Sequence, residues 1–320
     1  MRALITGGTG FAGGYLSEFL LAQGWSVTAV SNIRDSAGPP GVNVVTADVS
    51  NAEAIARVIH EVQPDHVYHL AAISSVPDSW RDPQLTLTVN VWGTYNVFRA
   101  CEHLAQPVRI LYVSTAHVYS TGCPTPIRED WPVRPATPYA SSKAMGEIAA
   151  LQFVAHGSHI VIARPFNHSG PRQTPDFVLP ALTRQVAEIQ AGLRPPVVEA
   201  GDLNVRRDLL DVRDAVRAYY CLLADGVPGE AYNVCSGFPC LLTDVVDALK
   251  NMAGVNFDLA LKQGLGHSGQ PSTVVGDFAK IQKQTRWCPT IPLERTLRDL
   301  LEYWRTQPRR SVGSSAVSCS

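Results

Sequence analysis

Arg2-Ala3-Leu4-Ile5-Thr6-Gly7-Gly8-Thr9-Gly10-Phe11-Ala12-Gly13-Gly14 opens the chain, and its reading decides the fold. After Arg2, the stretch to Thr6 is apolar and free of breakers, which predicts a short buried strand. Glycines follow at once, and behind them Leu16, Phe19 and Leu20 recur at helical spacing. Strand, glycine turn and helix in that order form the phosphate cradle of a dinucleotide-binding βαβ unit. Gly7 permits the tight turn, Gly10 lets backbone approach a pyrophosphate, and Gly13 lets the helix lie close on the strand. The positive end of the helix then faces the phosphates.

The alternation continues outward from this corner. Gly24 closes the first helix; 25–30 and 42–47 read as strands and 51–62 as a helix. Residues 66–70 read as a fourth strand running into Ala71-Ala72, small enough for a cofactor to pass. Residues 85–104 read as one long helix and 108–113 as a fifth strand. This pattern predicts an α/β fold, a doubly wound parallel sheet of the Rossmann kind, over residues 1–165. Past Pro165 the composition shifts to Pro, Gln and Arg. A smaller mixed substrate lobe is expected over 166–206 and 236–307, interleaved with returning sheet pieces within 207–235, near Arg207–Leu210 and Ala231–Val234. The Ser-rich end, 308–320, reads as a disordered tail. His66 and His69 alternate with apolar residues, so they read as strand histidines with their bonds met, not as metal ligands.

Bulk properties narrow the function. A chain of 320 residues, 45% hydrophobic and 17% charged, has the make-up of a well-packed globule. A formal net charge of -1 with no sustained basic run argues against nucleic-acid or membrane-surface partners. The first strand begins at once, leaving no room for a signal peptide, and no apolar run reaches transmembrane length. The seven cysteines form no CxxC pair, so the expectation is a reduced, cytoplasmic enzyme.

The fold brings a definite set of residues to the cofactor. Gly7, Thr9, Gly10, Phe11, Ala12 and Gly13 make the cradle; Ser31, Asn32 and Arg34 follow the second strand. Asp48, placed to bond an adenine amine, and Val49 follow the third. Leu70, Ala71 and Ala72, with Val113 and Pro165, close later strand ends, Asn90 supports the strand tips, and Tyr139 and Lys143 reach the nicotinamide end, Lys143 at its ribose. NAD-preferring sites usually place a carboxylate where Ser31-Asn32-Ile33-Arg34 stand; a guanidinium there suits a 2′-phosphate. The competing reading leaves Arg34 solvated and gives the ribose to Asp35. The expected cofactor is therefore NADP(H) or NAD(H).

Chemistry concentrates in Pro138-Tyr139-Ala140-Ser141-Ser142-Lys143, a helix start with Thr137 as its cap. The i, i+4 spacing puts Tyr139 and Lys143 on one face. A phenol titrates near ~10, and an ammonium and a nicotinamide beside it favour the phenolate. Ser114-Thr115 ends the fifth strand, where a hydroxyl is placed to bridge a substrate oxygen and Tyr139. The YxxxK spacing alone is common on exposed helices; the glycine cradle and the strand-end hydroxyls give it meaning.

Thr6–Gly13 (TGGTGFAG), Ser114–Tyr119 (STAHVY) and Pro138–Lys143 (PYASSK) resemble the extended short-chain dehydrogenases/reductases, in their nucleotide-sugar epimerase/dehydratase branch. The likeness runs from residue 1 to about 306. Ala163–Pro171 (ARPFNHSGP), Arg207–Val212 (RDLLDV), Tyr232–Gly237 (YNVCSG), Trp287 and Ile291-Pro292-Leu293 are most similar to the GDP-4-keto-6-deoxy-mannose reductases, which make GDP-rhamnose. The resemblance implies Thr115, Tyr139 and Lys143 as the catalytic trio and a nucleotide-sugar substrate touched by Ser74, Thr115, Ala116, His117, Asn167, Arg207 and His267. Asn167 and Arg207 match family residues at the diphosphate, against local readings as a loop cap and as an internal salt bridge to Asp208 or Asp211. It also implies a homodimer paired through the helices at 85–104 and 138–155.

Two departures stand out. Dehydratases of the branch carry an acidic residue after the threonine, where this chain has Ala116-His117, so reduction or epimerisation is expected over elimination. The family's Arg-Pro-x-Glu stretch is replaced by His267-Ser268-Gly269-Gln270, which changes how a diphosphate is held. An NAD(P)H-dependent reductase is the leading expectation. An NAD-retaining 4-epimerase is the nearest rival, and a non-catalytic regulator the remote one.

Overall fold

Apolar runs buried on both faces set the central sheet. The computed structural model describes residues 1–119, 123–261 and 273–307. It runs β1 (Arg2–Thr6), α1 (Phe11–Ala22), β2 (Ser26–Ser31), β3 (Asn43–Thr46), α2 (Ala52–Val62) and β4 (His66–His69). Next come α3 (Val76–Arg81), α4 (Pro83–Leu87), a π-helical turn at Thr88–Trp92 and α5 (Gly93–Glu102). β5 (Arg109–Val113), α6 (Pro138–Ala155), β6 (His159–Pro165), β7 (Asn167–Ser169), α7 (Val178–Gln190) and β8 (Val197–Ala200) follow. The remainder is β9 (Arg206–Asp211), α8 (Val212–Asp225), β10 (Ala231–Val234), β11 (Pro239–Leu241), α9 (Leu242–Ala253), β12 (Asp258–Leu261), β13 (Thr273–Val274), α10 (Ala279–Thr285) and α11 (Leu293–Thr306).

Seven strands form a parallel sheet in the order β10-β6-β5-β4-β1-β2-β3. One face is closed by α1 and α8 through Leu16, Leu20, Tyr219 and Leu222. The other is closed by α2, α5 and α6 through Ile55, Ile59, Phe98 and Phe153. Burying each such side chain contributes roughly 1.5–3 kcal/mol, which is what holds the helices to both faces of the sheet. Strand order reverses between β1 and β4, and the crevice beyond their carboxyl ends is where doubly wound sheets bind ligands. Register aligns Thr6 with His69 and His69 with Tyr112 at that edge.

A second, mixed sheet centres on β9, flanked by β11 and β13 and paired also with β7; β8 and β12 form a separate pair. Leu182, Val186, Val245, Leu249 and Leu300 build its own apolar core. Ala231–Val234 pairs parallel with β6 in the main sheet. Arg207–Leu210 does not: it lies within β9 of the second sheet. The buried carboxylate of Asp208 accepts from the N–H groups of Ser236, Gly237 and Gly276, and those partners belong to this lobe.

Two further expectations change. The helix read over 85–104 begins at Pro83 and is interrupted by the π turn around Asn90, which carries that amide inward. His69 is satisfied, with Nδ1 2.6 Å from Thr6 Oγ1 and Nε2 2.9 Å from Thr94 Oγ1. His66 is not: its buried Nδ1 has no hydrogen-bond partner, and its ring packs 4.7 Å from that of Trp25. Burial pushes His66 down to about 4 and His69 down to about 3, so both are neutral at ordinary pH.

Candidate functional site

Gly7 has φ +68, and a Cβ added there would lie 2.9 Å from the Ala71 backbone nitrogen. At Gly13 an added Cβ would meet the Gly7 carbonyl oxygen at 2.2 Å. The glycine turn is thus folded against both the start of α1 and the segment after β4. Gly10 caps α1 in an extended conformation, with no side-chain cap and no acidic residue in the first turn. The helix therefore presents unopposed N–H groups at a turn with no room for a Cβ at Gly7 or Gly13, which suits a pyrophosphate.

Around this cradle the expected contacts are placed as follows. Thr9 donates to Ser31 Oγ at 3.1 Å, and the Ile33 N–H donates to the same oxygen at 3.2 Å, tying the end of β2 to the turn. Asn32 and Arg34 are exposed beside it, and Asp35 has φ 54. Asp48 is exposed, its Oδ1 accepting from the Ser50 N–H and hydroxyl, while Val49 is buried. Phe11 stacks on His168 with centroids 6.1 Å apart, joining α1 to β7; Ala12 is half-buried next to it. Leu70, Ala71 and Ala72 are half-buried after β4 and Ser74 is exposed beyond them, whereas Val113 ends β5 and Pro165 ends β6.

Asn90 is wholly buried. It accepts from the Ile73 N–H at 2.8 Å, donates to the Ile73 carbonyl at 3.1 Å, and donates to Ser142 Oγ at 2.9 Å. Ser142 in turn donates to the Tyr139 carbonyl at 2.7 Å. The amide therefore braces the loop after β4 against the start of α6.

Thr137 caps α6, its Oγ1 accepting from the Ala140 N–H at 3.1 Å, with Pro138 in the first turn. Tyr139 and Lys143 sit on the buried face, and the Tyr139 hydroxyl hydrogen-bonds the Thr115 hydroxyl. The His117 N–H donates to Thr115 Oγ1 at 3.2 Å, which fixes that hydroxyl beside the phenol. The exposed His117 ring lies edge-on to Tyr139 at 6.1 Å, with half-buried Ala116 between it and Thr115 in sequence. Lys143 Nζ sits 4.6 Å from the centroid of the Tyr112 ring.

The electrostatics differ from the expectation for the phenol. Burial raises Tyr139 above the ordinary phenol value, and the Thr115 hydrogen bond only partly opposes it. Lys143 is pushed down to about 7 by burial, with the Glu147 carboxylate opposing. The folded chain thus keeps Tyr139 in its acid form, because desolvation penalises the phenolate.

Asn167 and Arg207 lie on paired strands of the second sheet, Asn167 opposite Leu209, two residues along β9 from Arg207. Half-buried Arg207 donates to the Arg206 carbonyl at 2.9 Å, and burial lowers its pKa. Asp208 and Asp211, the partners weighed for it, accept from Ser236 and from Arg213 and Thr296. His267 lies outside the described residues, as does the tail at 308–320.

Sequence reading missed one cluster. Glu147, one turn beyond Lys143, receives two bonds from Arg164 (Nε to Oε1 at 3.0 Å, Nη2 to Oε2 at 2.7 Å) and one from Ser114 Oγ at 2.5 Å. Of the two hydroxyls at that strand end, Ser114 points to this carboxylate and Thr115 to Tyr139. The recurrence of Tyr139, Lys143 and Glu147 every four residues was the signal available. Among the described residues, no group of three or more His, Cys, Asp or Glu side chains is placed to hold a metal.

Comparison with known proteins bears on this site. The family model described as GDP-mannose 4,6 dehydratase matches residues 4–300. A GDP-6-deoxy-D-mannose reductase from Pseudomonas aeruginosa is 33% identical over 96% of this chain and 98% of its own. The structure of RMD from Pseudomonas aeruginosa complexed with NADPH superposes with a TM-score of 0.85 at 32% identity, covering 96% and 99% of the two chains. The UDP-glucose 4-epimerase of Thermus thermophilus, complexed with NAD, gives a TM-score of 0.84 at 30% identity, covering 96% and 99%.

Proposed function

The chain belongs to the GDP-mannose 4,6-dehydratase family, within the extended short-chain dehydrogenases/reductases, and from that premise we propose that it is an NAD(P)H-dependent reductase of a 4-keto-6-deoxy sugar nucleotide, of the GDP-4-keto-6-deoxy-mannose to GDP-rhamnose type. The observation that carries this reading is the group beside the phenol. An imidazole, His117, stands edge-on to Tyr139 where elimination needs a carboxylate. The likeness to a reductase along almost the whole chain supports the same chemistry.

The glycine cradle, Ser31, Arg34, Asp48 and the Leu70–Ala72 segment would hold the dinucleotide, and Asn90 keeps that segment in place. A reduced nicotinamide, when bound, supplies the hydride for a ketone. Tyr139 gives its proton to the carbonyl oxygen as that oxygen becomes an alkoxide, leaving an alcohol. Thr115 donates to the same oxygen, and the Lys143 ammonium favours the phenolate left on Tyr139. Burial of Tyr139 suits this direction, because the donor starts with its proton in place. The smaller lobe, built around the second sheet, takes the nucleotide sugar, with Asn167 on β7 and Arg207 on β9 at its diphosphate and Ser74, Ala116 and His117 lining the sugar.

Incubation with GDP-4-keto-6-deoxy-mannose and its UDP and dTDP counterparts, with NADPH or NADH, tests this. Stoichiometric loss of the reduced-nicotinamide absorbance with one of them is the expected result. Protein isolated full of tightly held NAD that interconverts 4-epimers without net consumption would overturn it in favour of the epimerase. Bound cofactor with no turnover of any sugar nucleotide would favour a regulator.

We also propose a homodimer in the cytoplasm, where reduced nicotinamide and the free thiols of the described cysteines persist. Met145, Ile148 and Leu151 recur along the outer face of α6, with Ile148 68% exposed, and α4 and the π turn beside it expose Leu85 and Trp92. Adjacent helices with a shared apolar face suit a second copy of themselves. Light scattering is expected to give twice the chain mass, falling to one chain in Ile148→Asp; a monomeric parent protein overturns the dimer.

A further inference from the structure

The Glu147–Arg164–Ser114 cluster has no place in the mechanism above. Its side chains are almost fully enclosed, at 7% and 8% exposure for Glu147 and Arg164. Both carboxylate oxygens are occupied, Oε1 by Ser114 and Arg164 Nε and Oε2 by Arg164 Nη2. Arg164 is in turn fixed on its far side. Its Nη1 donates to the Tyr119 hydroxyl at 3.0 Å, its guanidinium lies 4.9 Å from that ring, and Tyr119 donates to Asn233 Oδ1 at 2.7 Å. The frame therefore spans β5, α6, β6 and β10.

Its position relative to the chemistry is specific. Ser114 is the neighbour of Thr115, and Lys143 is one turn before Glu147 on the same buried face. We propose that Glu147 is a positioning residue of the reductive site: its carboxylate faces Lys143 to hold the ammonium there and anchors the Thr115 strand end through Ser114, while Arg164 fixes the carboxylate in place.

The surroundings of Lys143 leave this work to one group. On α6 its neighbours one turn to either side are Tyr139 and Glu147; Tyr112 of β5 and His69 of β4 lie within reach of its charge, and the Arg164 guanidinium of β6 lies across the Glu147 carboxylate. Burial raises both phenols and pushes His69 down to about 3, so none of those three carries charge at neutral pH. Glu147 is the anion that opposes the desolvation of Lys143. A buried ion pair serving only as a brace would change stability alone, whereas this one is expected to set the pH at which the ammonium is lost.

The chain has five lysines, which makes the ammonium directly observable by carbon-13 labelling at lysine Cε and NMR titration. Lys143→Met assigns the resonance. In Glu147→Gln the Lys143 midpoint is expected to fall by about one pH unit, the other four staying put, because an opposite charge at this range shifts a pKa by roughly 1–3 units. The alkaline limb of kcat for ketone reduction is expected to move down with it. The double variant Glu147→Gln, Arg164→Met removes the orphaned guanidinium; it is expected to fold and to show a smaller shift in the same direction, because a cation leaves with the anion. An unmoved Lys143 midpoint in either variant overturns the proposal, as does an ordinary lysine midpoint near ~10.4 in the parent protein. The kinetic arm rests on the reductase reading and the NMR arm does not. Absence of turnover with every sugar nucleotide therefore refutes that reading, while the titration still decides the role of Glu147.

Discussion

Tyr139→Phe is expected to lower kcat/KM for ketone reduction about a thousandfold, within the ~10²–10⁴ range that a positioned proton donor supplies. The substitution removes one oxygen and leaves the ring. Packing against His117 survives, and the hydroxyl of Thr115 keeps its bond from the His117 N–H. One hydrogen bond is lost from a buried site, costing about 1 kcal/mol, so the melting temperature moves by only a few degrees. NADPH affinity is expected to stay close to that of the parent, since Gly7, Gly10 and Gly13 are untouched. Steady-state kinetics with cofactor titration separate the effects. Near-normal turnover by this variant would refute the role of the phenol.

The second large effect lies at the cradle. Gly13→Ala places a methyl where the Gly7 carbonyl oxygen stands 2.2 Å away, and the obstructing atom is backbone. Relief requires α1 to move off the end of β1 or the turn to open, and either displaces the N–H groups aimed at a pyrophosphate. NADPH affinity is expected to fall about 100-fold, equivalent to about 2.7 kcal/mol, with a lower melting temperature. Gly14→Ala is the matched control. A Cβ there meets nothing within 4 Å, and alanine in a helix is favoured over glycine by about 1 kcal/mol. Fluorescence titration of NADPH into both variants checks the contrast, and equal affinities would remove the cradle from cofactor binding.

Much of this protein is legible one neighbourhood at a time. The apolar run Ala3–Ile5, the glycines behind it and the helical spacing of Leu16 and Leu20 carry the cofactor unit, because each signal lies within a few residues of the next. Thr137, Pro138, Tyr139 and Lys143 likewise declare a capped helix with two reactive groups on one face. Asp208 is not readable in this way. Its partners lie at Ser236, Gly237 and Gly276, and only their convergence draws Arg207–Leu210 into the second sheet.

By itself the sequence determined the alternation of strands and helices through residue 165, the dinucleotide corner and the Tyr139–Lys143 face, all consequences of short-range periodicity and backbone sterics. Tertiary structure alone decided which sheet received β9, that Ser114 turns to Glu147 and Arg164, and that Tyr139 is raised while Lys143 is lowered to about 7. Those outcomes depend on desolvation and on partners many residues away, and neither quantity exists until the chain has closed around them.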